Sequence, residues 1–112
     1  MTKQHFIINF DHASRDEAGI YADDLRNTLL DAGDGEIEVE KQQTDPNSQD
    51  FGATLVLILG TPAVIVLAKG IKDWLGRNPN ASITVETVEG KVVATGVTSA
   101  DAASIADKLL SK

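Results

Sequence analysis

Asp11, His12 and Ser14 bring the three residue types of a hydrolytic triad within four positions of one another. A working triad holds a carboxylate behind an imidazole and a hydroxyl in front of it, an arrangement that near neighbours in the chain cannot adopt. Ser14 has a better use. Ser14-Arg15-Asp16-Glu17 is a capping box, in which the hydroxyl accepts from the Glu17 amide while the Glu17 carboxylate accepts from the Ser14 amide. His12 then reads as a loop residue after a strand, and His5 as a strand-edge side chain. Asp31, Asp34 and Glu36, set around Gly33 and Gly35, suggest a calcium loop, but they lack the alternating oxygen ligands and closing bidentate Glu of an EF-hand. Gly60-Thr61-Pro62 places a glycine before a helix start, where an anion can sit. Neither a G-x-G-x-x-G pattern nor a P-loop accompanies it. The absence of Cys excludes thiolate catalysis, disulfides and Cys-ligated metal centres. No catalytic, cofactor or metal residue is nominated, and no cofactor is expected.

Charge is the next signal. Seventeen acidic and 10 basic side chains give a net charge of −7, which argues against nucleic acid or an anionic membrane as partner. The imbalance is confined to residues 1–50, with twelve acidic against four basic; residues 51–112 carry five against six. Such an asymmetry reads first as a solvated face. The sharper reading is a docking surface for a protein partner, with Asp23, Asp24 and Asp31 on a helix and Glu36, Glu38 and Glu40 on a strand as its candidates.

The elements that carry these residues follow from periodicity. The length suits one domain over 1–112. No basic stretch precedes a long apolar run at the start, so no secretory signal is expected and the cytoplasm is the expected location. Phe6, Ile8 and Phe10 alternate with His5, Ile7 and Asn9, predicting a strand; Ile7 makes its second face partly apolar and places it centrally. A helix over about 15–32 buries Ala18, Tyr21, Ala22, Leu25, Leu29 and Leu30 and stops at Gly33. Glu36-Ile37-Glu38-Val39-Glu40 alternates strictly, and its three outward carboxylates suit an edge strand. Residues 43–50 form a polar, mobile loop.

Phe51 to Ala68 are eighteen consecutive uncharged residues, the length of a minimal membrane span. Gly52, Gly60, Thr61 and Pro62 dilute the run, and it lacks flanking basic and aromatic belts, which disfavours a membrane. Two readings stay open: one long helix kinked at Thr61-Pro62, which is preferred, or a buried strand over Leu55–Leu59 followed by a helix restarting at Pro62. Asn78-Pro79-Asn80 ends that helix. Residues 82–88 and 91–98 form a β-hairpin turning at Glu89-Gly90. A last helix, capped by Thr98 or Ser99, buries Ala102, Ile105, Ala106, Leu109 and Leu110. The order is β-α-β-α-β-β-α. It predicts an α/β (α+β) two-layer sandwich, a mixed four-stranded sheet with three helices mainly on one face and the first two strands parallel through a right-handed crossover.

The apolar run into Gly60-Thr61-Pro62-Ala63, the second apolar helix closing in Trp74-Leu75 with Arg77 after it, and the hairpin Ile83-Thr84-Val85-Glu86-Thr87-Val88-Glu89-Gly90-Lys91 before a last helix form a recognisable succession. Over roughly residues 15–110 it resembles the effector-associated constant component family of small bacterial domains. The resemblance implies a non-catalytic adaptor that couples an effector, often a trypsin-like or caspase-like peptidase, to other components of a bacterial conflict or signalling system. The family brings no catalytic residues to transfer. The alternatives are a small-ligand sensor or small enzyme with a pocket between the sheet and the central helix near Gly60, and a membrane-associated subunit exposing 51–68.

Overall fold

A strand whose every second side chain is a large hydrophobe anchors the fold: Phe6, Ile8 and Phe10 of β1 (Lys3–Phe10) are all buried. The computed structural model describes residues 3–11, 13–33, 35–43, 53–87 and 89–110. After β1 come α1 (Arg15–Gly33), β2 (Ile37–Gln43), β3 (Ala53–Gly60), α2 (Val64–Arg77), β4 (Ile83–Thr87), β5 (Val92–Val97) and α3 (Ile105–Leu110). Short 3-10 turns over Thr61–Ala63 and Ala102–Ser104 lead into α2 and α3. The strands form one five-stranded sheet in the order β2-β3-β1-β4-β5, with every neighbouring pair antiparallel.

The local signals act as their chemistry requires. The Ser14 hydroxyl accepts from the Glu17 amide at 3.2 Å, and Glu17 Oε1 accepts from the Ser14 amide at 3.1 Å, which starts α1. Gly90 takes a φ of +92° in the β4–β5 turn, closed by the Gly90 amide donating to the Thr87 carbonyl at 2.9 Å. β1 is central and β2 lies at an edge, as their patterns indicate. Beyond Gln43, the polar loop expected over 43–50 lies outside the described residues.

The preferred reading of 51–68 as one kinked helix is corrected. Residues 53–60 are a strand in which Leu55, Leu57 and Leu59 are buried and Val56 and Ile58 are half-buried on the other face. An uninterrupted apolar run hides its period, because a strand packed on both faces and a buried helix both read as continuously hydrophobic. The chain turns at Gly60-Thr61-Pro62, and α2 starts at Val64. No helix among the described residues is long and apolar enough to cross a membrane.

That one change also corrects the sheet from four strands to five and from mixed to antiparallel. β3 inserts between β1 and β2 and pairs antiparallel with both. β1 and β2 therefore run in the same direction without being neighbours.

One face of the sheet is covered. α1 packs on β2, β3 and α2, while α3 packs on α2 and β5. Between the layers, Trp74 meets Phe10 edge-on at 5.9 Å and Tyr21 at 5.4 Å, tying α2 to β1 and α1. The two long helices approach closely at Gly70, where a Cβ would lie 2.7 Å from Leu29 Cδ2 and 3.7 Å from Ala32 Cβ. Leu29 is itself fully buried and has little room to retreat. Gly70→Val is therefore expected to cost about 1–3 kcal/mol by overpacking this crossing. Urea unfolding measures it, and an unchanged midpoint would show that the helices are not held this close.

Candidate functional site

Strand pairing sets the second face, which no helix among the described residues covers, residue by residue. Glu40 lies opposite Val56, Val56 opposite Ile7, Ile7 opposite Glu86 and Glu86 opposite Val92, so one row crosses all five strands. The row beside it runs Glu38, Ile58, His5. A third runs Gln42, Thr54, Asn9, Thr84. Ile7, Val56 and Ile58 thus form an apolar centre, with Glu38 and Glu40 on one flank and Glu86 on the other. All three apolar side chains are half-buried.

The end of this face beyond that centre is polar and internally bonded. Thr54 Oγ1 donates to Asn9 Oδ1 at 3.0 Å, and Asn9 Nδ2 donates to Glu86 Oε1 at 2.9 Å. Ser82 Oγ donates to Asp11 Oδ2 at 3.1 Å, and Thr84 Oγ1 donates to Asp11 Oδ1 at 2.9 Å. With its proton directed at Asp11, the Thr84 hydroxyl accepts from Thr95 Oγ1 at 3.3 Å. Asp11 is thus a structural acceptor that fastens β1 to β4, and Ser14 is a helix cap. His12 and Asp34 lie outside the described residues. No group of three or more His, Cys, Asp or Glu among the described residues could hold a metal ion.

The six acidic residues nominated from the sequence fall on two sides of the molecule. Successive side chains of a strand point to opposite faces. Glu38 and Glu40 accordingly face outward, while Ile37 and Val39 are buried under α1. Glu36 is exposed just before β2, where its amide donates to the Gly33 carbonyl at 2.8 Å. Asp23, on α1, pairs with Lys41 Nζ at 3.0 Å. Asp24 Oδ2 accepts from the Trp74 indole N–H at 2.9 Å. Asp31 lines a groove of about 970 Å³ between α1 and α2 that also includes Asp24, Lys72 and Arg77. Glu38 and Glu40 belong to the open face, Glu36 to the turn before β2, and the aspartates to the helical layer.

Ile7, Val56, Ile58 and Glu86 were not nominated from the sequence. The signal for Val56 and Ile58 was their β-branching, alternating with Leu55, Leu57 and Leu59, which distinguishes a strand from a helix more sharply than hydrophobicity does. A cavity of about 280 Å³ lies over this part of the face, lined by Glu38, Glu40, Val56 and Ile58. Gly60, near which the alternative reading puts a ligand pocket, lines neither this cavity nor the groove between the helices.

Asp24 and Asp31 separate a structural from a superficial role. Asp24→Ala leaves the indole N–H of a fully buried Trp74 without its acceptor, an expected loss of about 1–3 kcal/mol. Asp31→Ala, on an exposed position, is expected to stay within about 0.5 kcal/mol of the parent. Denaturant unfolding followed by the fluorescence of the single Trp distinguishes them; equal effects would remove Asp24 from the core's support. No protein-family model, curated protein or solved structure matches this chain.

Proposed function

We propose that the chain is a non-catalytic protein-interaction module, an adaptor that docks a partner protein on the open face of its sheet. The observation that carries this reading is the apolar centre of Ile7, Val56 and Ile58 held between Glu38 and Glu40 on one side and Glu86 on the other. The outward face of a one-sided antiparallel sheet is ordinarily polar throughout. An apolar centre within a charged rim is the anatomy of an interface.

The rim also selects the partner. Glu38 and Glu40, with Glu86 held by Asn9 across the centre, suit a surface that surrounds an apolar anchor with Lys or Arg. They disfavour a second copy of the chain, which would bring the same negative rim against itself. Glu38 is joined to Lys3 Nζ at 3.6 Å, with both side chains more than half exposed, and a pair of that kind is worth little. Its carboxylate remains free to exchange partners. The resemblance to effector-associated constant components supports a peptidase-type effector of a bacterial conflict or signalling system as that partner, met in the cytoplasm.

Affinity capture from native cell extract, followed by binding measurements with the purified captured protein, tests the reading. The doubly reversed Glu38→Lys/Glu40→Lys variant and the single variant Ile58→Asp are each expected to weaken binding by about tenfold or more, since both act at the centre or rim of one patch. Asp31→Lys, on the helical layer, is expected to leave it unchanged. A partner bound equally well by the parent and the doubly reversed variant would overturn the assignment of this face.

A further inference from the structure

The geometry points to a second binding surface at the β5 edge, a groove that takes an extended acidic peptide segment as an added strand. β5 is outermost in the sheet and, among the described residues, pairs with β4 alone. The two edges are treated differently. β2 carries Glu38, Glu40 and Lys41, charges of the kind that keep an edge from recruiting another strand. β5 reads Val92-Val93-Ala94-Thr95-Gly96-Val97, with no charge along its length. A groove of about 570 Å³ follows this edge, lined by Val92, Val93 and Thr95 with Lys91 at the turn and Lys108 on α3. Val92 is 53% exposed there.

Charge names the occupant. Lys91 and Lys108 are exposed and make no ion pair among the described residues. Glu89 is the only carboxylate lining the groove. Two lysines against one glutamate give the described lining a net charge of +1 in a chain of net charge −7. An edge strand with a helix beside it is the frame for strand addition, in which main-chain bonds supply affinity and the groove selects alternate side chains. Two register shifts in the β4–β5 ladder, together with Gly96 at a φ of +62°, break the edge into short stretches. Such bulges discourage long, flat pairing, so the segment taken is short. Its apolar side chains lie against Val92 and Val93, and its carboxylates meet Lys91 and Lys108.

A phage-displayed library of random dodecapeptides, selected on the full chain, tests this directly. Enriched sequences are expected to alternate apolar residues and to carry Asp or Glu. Synthetic copies, measured by fluorescence polarisation, are expected to lose about tenfold in affinity with Lys91→Glu/Lys108→Glu. The charge-matched Lys69→Glu/Lys72→Glu variant on α2 should retain parental affinity, and amide shifts on binding should centre on residues 92–97. Four results would overturn the site: no enrichment, equal loss in both lysine variants, loss with Glu38→Lys/Glu40→Lys instead, or sedimentation showing a dimer joined through β5. The Glu38/Glu40 arm keeps this outcome separate from the fate of the open-face reading.

Discussion

The crossing of α1 over α2 is the constraint on which the remaining structure rests. Gly70 leaves room for Leu29 of α1 to lie directly on α2, and Trp74, one turn further along α2, fills the space against Tyr21 of α1 and Phe10 of β1. The indole is fully buried, and its polar N–H is satisfied only by reaching Asp24 at the helix surface. Each aromatic contact contributes about 0.5–1.5 kcal/mol beyond simple burial. Directional contacts of this kind fix the rotation of both helices about their axes. That rotation decides which α1 residues lie over β2 and β3, and hence which face of the sheet is sealed.

Sealing one face defines the other. Phe6, Ile8, Leu55, Leu57 and Leu59 are committed to the helical layer, so the period-two alternation forces Ile7, Val56 and Ile58 to the opposite side. A one-residue slip of β3 against β1 would exchange these sets and bury the polar row. The bonds from Thr54 through Asn9 to Glu86 oppose such a slip, because they join three strands in one register. The apolar centre of the open face is thus a by-product of a central strand pair rich in hydrophobes on both sides, and the carboxylates of β2 and β4 flank it.

The sequence and the fold agree wherever a local signal is decisive. The capping box, the Gly90 turn, the alternation of Phe6, Ile8 and Phe10 and the charged edge at Glu38 and Glu40 each contain their own geometry within a few residues. The agreement ends at Phe51–Ala68. There every position is apolar or small and hydrophobicity fits both periods, so that, beyond the β-branching of Val56 and Ile58, it is pairing with β1 and β2 that decides for a strand. Because β3 lies between β1 and β2, that single ambiguity carried the strand count, the sheet type and the open-face residues with it. The acidic candidates were legible as charges but not as partners. Asp23 faces Lys41 and Asp24 faces Trp74, and neither relation is visible from spacing alone.

The net charge of −7 therefore separates into parts with different work. Asp11, Asp23 and Asp24 are engaged with hydroxyls, a lysine and an indole within the fold, and Glu17 caps a helix. A carboxylate so engaged cannot be offered to a partner without cost to the structure that holds it. Glu40 makes no ion pair among the described residues, and Glu38 makes only an exposed one. These two stand beside the half-buried Val56 and Ile58, where an opposite charge would add to burial instead of opposing it. At the far edge of the same sheet the sign reverses at Lys91 and Lys108. The charges exposed at the two edges differ in sign, carboxylates on β2 and lysines beside β5, so a charged group approaching the sheet meets attraction at one edge and repulsion at the other.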